Sequence, residues 1–135
     1  EGQYYFKEVI LSDLPEWLQG DWKSEDSDST LWKITKNDIL FLFKYYVKDK
    51  DIFSDYYLSV QGCNIINETN KTNSKYEVLL ADCFWGVESS VNLSFTKSED
   101  NTIIASLEEE GEISDENLFN YNEIKGTKTL NKVPN

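Results

Sequence analysis

The chain has no histidine, no arginine and no methionine, and only two cysteines, two prolines and six glycines in 135 residues. Each shortage excludes chemistry. Without histidine, Ser-His-Asp and Cys-His nucleophile systems, imidazole bases and the usual zinc sites are removed together. Without arginine there is no bidentate clamp for carboxylate or phosphate, and the few glycines form no phosphate-binding loop. No run is long or apolar enough to span a bilayer as a helix. The absence of an initiating methionine at Glu1 implies that a leader has been removed, which fits an exported protein: periplasmic, secreted or anchored to an outer membrane as a lipoprotein.

What is present points to one folded acidic domain, residues 1–135. There are 25 acidic against 13 basic residues, all of the latter lysine, for a net charge of -12. That field opposes phosphate backbones and anionic lipid surfaces, so nucleic acid is excluded as an expected partner. With 39% hydrophobic and 14% aromatic residues, the chain has ample apolar surface to bury and is not of disordered composition.

The hydrophobic pattern is that of short strands. After an N-terminal segment, residues 1–19, whose SDLPEW stretch reads as a short helical turn capped by Ser12 or Asp13, comes GDWKSE. TLWKITK and DILFLFKYYVK form a hairpin across Lys36, Asn37 and Asp38. DYYLSVQGCNII is read as one strand and NETNKTNS as a polar loop. KYEVLLADC, SSVNLSFTK, TIIASLEEE and ENLFNYNEIK complete the set, with a polar tail at 126–135. These are about eight strands joined by short turns, with no helix-length periodic segment. The expected fold is all-β: an eight-stranded antiparallel up-and-down barrel over residues 20–125, with a two-sheet sandwich as its rival.

Within that meander, Gly20-Asp21-Trp22 directly after LPEWLQ resembles the lipocalins and the wider calycin superfamily, in particular small bacterial β-barrel proteins of that type. The resemblance implies that Gly20 lets the entering chain pass close beneath the barrel and that Trp22 packs as its floor. The family's Thr-Asp-x-x-Tyr box is not present. Its late arginine over the floor tryptophan has no counterpart in an arginine-free chain, and Lys125 or Lys128 is the expected substitute. The function implied is non-enzymatic binding or transport of a small hydrophobic ligand by a monomer.

Alternation places bulky side chains inside, and the expected ligand-binding set is Trp32, Phe41, Phe43, Tyr45, Tyr56, Tyr76 and Phe95, with tyrosine hydroxyls as the orienting polar groups. The same residues equally describe a filled core, which leaves an alternative from another class: a barrel acting through its surface as a protein-interaction, inhibitor or cell-envelope module. No cofactor or metal is expected. The acidic stretches SEDSD (Glu25, Asp26, Asp28) and EEEGEISDE (Glu108 to Glu116) match no calcium-loop pattern and read as solvated loops. Catalytic residues are not assigned, because nothing places a carboxylate in an apolar pocket. Leu40, Leu42, Tyr46 and Tyr57 fall on the outward faces, where Tyr4, Tyr5 and Phe6 are expected to cover them. Cys63 and Cys83 read as one disulfide or two thiols. A turn about Asn73 would bring them opposite one another and favour the bridge, whereas a turn at the middle of NETNKTNS would separate them.

Overall fold

The computed structural model describes residue 11 and residues 13–47, 49–83, 90–109 and 124–134, with the side chains of 27–29, 43–47, 53–56 and 83 outside that description. Among the described residues the chain is all-β. Its strands are β1 (Gly20–Ser24), β2 (Ser27–Ile34), β3 (Ile39–Val47), β4 (Ile52–Ser59), β5 (Cys63–Lys71), β6 (Lys75–Cys83), β7 (Val91–Glu99), β8 (Thr102–Glu109) and β9 (Gly126–Lys132). They form one antiparallel sheet in the order β4-β3-β2-β1-β9-β8-β7-β6-β5. The sheet curls into a half-barrel, so that Trp32 of β2 meets Phe95 of β7 across the interior, ring centroids 6.0 Å apart.

A break within DYYLSVQGCNII divides the expected single strand between β4 and β5, and Gly126–Lys132 adds a strand where a tail was expected, so the described residues hold nine. Alternating burial holds through Leu58 and Val60 and then fails, the next buried residues being Cys63 and Ile66. A single 3-10 turn, Val60–Gly62, stands at the break; the Ser59 hydroxyl accepts from the Gln61 amide at its start. Ser59 also donates to Asp38 at 2.7 and 2.8 Å, and Gln61 Nε2 donates to the Asn37 carbonyl at 2.7 Å, so the break is tied to the β2–β3 turn. The 3-10 turn touches both β3 and β6, which lie toward opposite margins of the sheet. The margins therefore meet through this turn, although β4 and β5 do not pair.

Two further expectations are corrected. Most of NETNKTNS is not a loop: β5 continues to Lys71, and only Thr72 to Ser74 turn the chain. The tail after residue 125 is not a tail either. Gly126–Lys132 is β9, held between β1 and β8 by ladders on both sides. The segment ENLFNYNEIK, read as the last strand, lies outside the described residues except for Ile124 and Lys125, as do Tyr4, Tyr5 and Phe6.

The inward face forms the core. Trp32, Ile34, Ile39, Phe41, Leu58, Val60, Tyr76, Val78, Leu80, Val91, Leu93 and Phe95, which alternate along their strands, are buried. Leu11, Leu14, Leu18, Ile66, Ile103, Leu107, Ile124 and Leu130 join them. Burial of such apolar area is the main favourable contribution to folding.

Candidate functional site

Register defines two ends. Gly20 pairs with Ile34, and Trp22 with both Trp32 and Lys132, so the β2–β3, β5–β6 and β7–β8 turns gather at the end where β1 begins, the lower end. Ser24, the β3–β4 turn, Val91, Glu109 and Gly126 mark the upper end.

The lower end is crossed by Leu14 to Gln19. This is not a helix but a pair of overlapping turns, with Leu18 N donating to Pro15 O (3.0 Å) and Gln19 N to Glu16 O (3.2 Å). The positive φ of Gly20 (139°) lets the chain swing into β1 before a helix could propagate. The turn is anchored on both flanks: Leu14 N donates to Lys36 O of the β2–β3 turn at 2.8 Å, and Trp17 Nε1 to Thr72 O of the β5–β6 turn at 3.1 Å. Trp22, 1% exposed, donates its Nε1 to Leu18 O at 2.9 Å. The cation over Trp22 is Lys132, its Nζ 5.6 Å from the ring centroid, and not Lys125 or Lys128. Both of those lie near the opposite end of β9, whereas Lys132 is the cross-strand partner of Trp22. Gly20 permits that arrangement, since a Cβ there would stand 2.6 Å from Lys132 Cε. A depression of about 290 Å³ outside this end is lined by Trp17, Trp22, Lys97, Asp100, Asn101 and Lys132.

Of the seven residues expected to hold a ligand, Trp32, Phe41, Tyr76 and Phe95 are fully buried in the interior. Trp32 meets Phe41 edge to face, centroids 4.9 Å apart at 78°, and Phe95 at 84°. That quadrupole-favoured packing fills the space beside Trp32 on β3 and across the interior from it. Phe43 and Tyr45 of β3 pair with Tyr56 and Ser54 of β4 above that layer, and the side chains of Phe43, Tyr45 and Tyr56 lie outside the description.

Of the polar groups on the inner face, sequence reasoning picked out the Tyr76 hydroxyl but not Glu68, Thr30 or Glu109. Tyr76 OH donates to Glu68 Oε2 at 2.6 Å, and Lys71 Nζ is 3.9 Å from Glu68 Oε1. Burial first, then the hydrogen bond and charge of Glu68, push the Tyr76 phenol far above its ordinary pKa, so it remains a donor and has no role as a base. Thr30 Oγ1, Trp32 Nε1 and Glu109 Oε2 are buried with no hydrogen-bond partner. Thr30 is 1% and Trp32 0% exposed. Two residues apart on β2, they share the inner face. Glu109 continues the inward series Ile103, Ala105, Leu107 of β8 and stands opposite buried Val91. Extending the alternation by one step at each strand end would have found Thr30 and Glu109.

Cys63, fully buried, is the register partner of Cys83, with β5 and β6 turning about Asn73. Among the described residues no group of three or more cysteine and carboxylate side chains is placed to hold a metal ion, and no helix is long and apolar enough to cross a membrane. Most of EEEGEISDE lies outside the described residues. Comparison with protein-family models, with curated proteins and with solved structures found no match for this chain.

Proposed function

We propose that this chain is an exported, non-enzymatic, lipocalin-like barrel that binds a small, mostly apolar molecule in the upper part of its interior. The observation that carries the reading is the pair of unpartnered polar atoms, Trp32 Nε1 and Thr30 Oγ1, on the buried inner face of β2. A buried donor left without a partner costs about 1–3 kcal/mol, and such atoms are rare in native interiors unless a bound molecule or water completes them. A ligand with an apolar body and one hydrogen-bond acceptor completes both, the indole N–H donating to it and the hydroxyl turning to suit. The aromatic layer of Trp32, Phe41 and Phe95 forms the base on which that body rests.

The lower end supports the lipocalin-like part of the reading. Gly20, Trp22 and a lysine over that tryptophan are compatible, in an arginine-free chain, with the closed end that the Gly-x-Trp resemblance implies. The Cys63–Cys83 register favours a cross-strand disulfide, which belongs to an oxidising, extracytoplasmic compartment. The surface-acting alternative draws on Tyr57 and Ile52 of β4, which are 66% and 50% exposed.

Thermal melting with and without decanol tests the binding reading, because a ligand of the native state raises the melting temperature in proportion to ln(1 + [L]/Kd). The wild type is expected to show a saturable rise that Thr30→Val together with Trp32→Phe diminishes. A melting temperature that decanol leaves unchanged or lowers would favour the surface-acting alternative.

A further inference from the structure

The depression outside the closed lower end is separate from the interior, and its walls are fixed by hydrogen bonds between turns. Trp17 stands on the Leu14 to Gln19 turns with its Nε1 committed to Thr72 O of the β5–β6 turn at 3.1 Å. Lys97 N donates to Ser74 O of that same turn at 2.8 Å, and Lys132 N donates to Asn101 O of the β7–β8 turn at 2.8 Å. Trp22 is buried, which leaves the half-buried Trp17 as the aromatic face of the depression. The side chains of Lys97, Asp100 and Asn101 are exposed and line it. A second depression of about 320 Å³, lined by Asn101, Lys132, Val133 and Pro134, adjoins the first through Asn101 and Lys132, which line both.

We infer that this groove binds a carbohydrate chain, one sugar ring lying on Trp17 and the next extending past Lys132 toward Val133. A sugar ring has what the lining asks for: a face of positively polarised C–H bonds for the negative face of an indole, and a periphery of hydroxyls. Trp17 has spent its one donor on Thr72, so it offers its ring and no competing hydrogen bond. Around it the Asp100 carboxylate accepts, the Lys97 and Lys132 ammonium groups donate, and the Asn101 amide does both, which serves a hydroxyl in either sense. Other ligand classes fit less well. A simple anion would gain from the two lysines but would meet the Asp100 carboxylate and the negative π face of Trp17. A lipid tail would strip water from Lys97, Asp100 and Asn101 and return no hydrogen bond to them. Because the surrounding turns are already tied to one another, binding requires little further ordering.

Saturation-transfer NMR of the full chain with cellobiose, maltose and N,N′-diacetylchitobiose at millimolar concentration, irradiating the aromatic protons of the protein, tests the inference. Expected is transfer to the ring C–H protons of at least one of these disaccharides. Asp100→Ala combined with Asn101→Gly should weaken that binding roughly tenfold, about what a hydrogen bond to a charged group contributes. Both positions are exposed and glycine accepts the φ of +64° at position 101, so this double variant should melt like the wild type. Trp17→Leu should abolish the transfer. Thr30→Val with Trp32→Phe, inside the barrel, should leave it unchanged, which separates this site from the interior one. Absence of transfer to all of the disaccharides overturns the inference and leaves the interior-binding reading standing. Transfer that persists at wild-type strength in the Asp100 and Asn101 variant or in Trp17→Leu, or that is lost in the interior variant, also overturns it. The Asp100 and Asn101 variant decides the matter even if Trp17→Leu does not fold.

Discussion

Replacing Gly20 with alanine should be among the most damaging one-carbon additions to this chain. At φ +139° an L side chain is strained, and such backbone strain costs of order 1–3 kcal/mol. The new methyl would also lie 2.6 Å from Lys132 Cε, so the lysine must withdraw. Its Nζ, 5.6 Å from the Trp22 centroid, then gives up a cation–π contact. That contact is worth about 0.5–1 kcal/mol at an accessible site. The total expected loss is roughly 1.5–4 kcal/mol, large against the 5–15 kcal/mol that typically holds a domain folded. Urea unfolding of Gly20→Ala, Lys132→Ala and the double variant measures the parts separately. With Lys132 removed there is nothing to collide with, so Gly20→Ala should cost only its backbone strain, smaller by about 0.5–1 kcal/mol than in the wild type. A Gly20→Ala loss below about 0.5 kcal/mol would refute the strain argument. Equal losses in both backgrounds would refute the role given to Lys132.

Trp22→Ala should cost on the order of 3–5 kcal/mol by opening a cavity and orphaning Leu18 O, whereas Trp32→Phe should leave unliganded stability unchanged or slightly raised, because it deletes an unpaired donor; thermal melting compares them. Stability should be lost above about pH 10, where the unfolded tyrosine ionises while the raised pKa of Tyr76 keeps the folded phenol protonated; below that pH the contribution is fully present. Tyr76→Phe should flatten this alkaline decline in a pH series of urea midpoints and cost about 1 kcal/mol at neutral pH through the lost bond to Glu68. Native protein denatured without reductant should take up no alkylating agent at Cys63 or Cys83, and reduction should lower stability by roughly 3 kcal/mol for a loop of this length; uptake of two alkyl groups would rule the bridge out.

The central strands were legible because they obey one rule. β6 alternates from Tyr76 to Leu80, β7 from Val91 to Phe95 and β8 from Ile103 to Leu107, and so do Trp32, Ile34, Ile39 and Phe41 across the β2–β3 turn, so period-2 burial identified the inner faces over those spans. The Cys63–Cys83 register followed from the turn about Asn73, although a bulge between Glu68 and Asn70 shifts the pairing nearer the turn. β9 was not legible, because GTKTLNK buries only Leu130 among its side chains. Its place comes from two backbone ladders, which leave no mark in a hydrophobicity pattern. The polar half of β5 escaped for the same reason: it is a sheet-margin strand whose Asn, Glu, Thr and Lys side chains are only partly covered. The Val60–Gly62 break did leave a mark, a three-residue step in the buried series. Lys132 was missed because register, not composition, decides which lysine reaches Trp22.

Native mass spectrometry of the full chain after incubation with decanol and with decylamine tests most directly the claim that this barrel holds a small molecule inside. The account predicts a one-to-one adduct with the wild type that is markedly weakened when Trp32→Phe and Thr30→Val are combined in a chain that melts like the wild type. Only the bare mass with both compounds, or an adduct indifferent to those two substitutions, would contradict it.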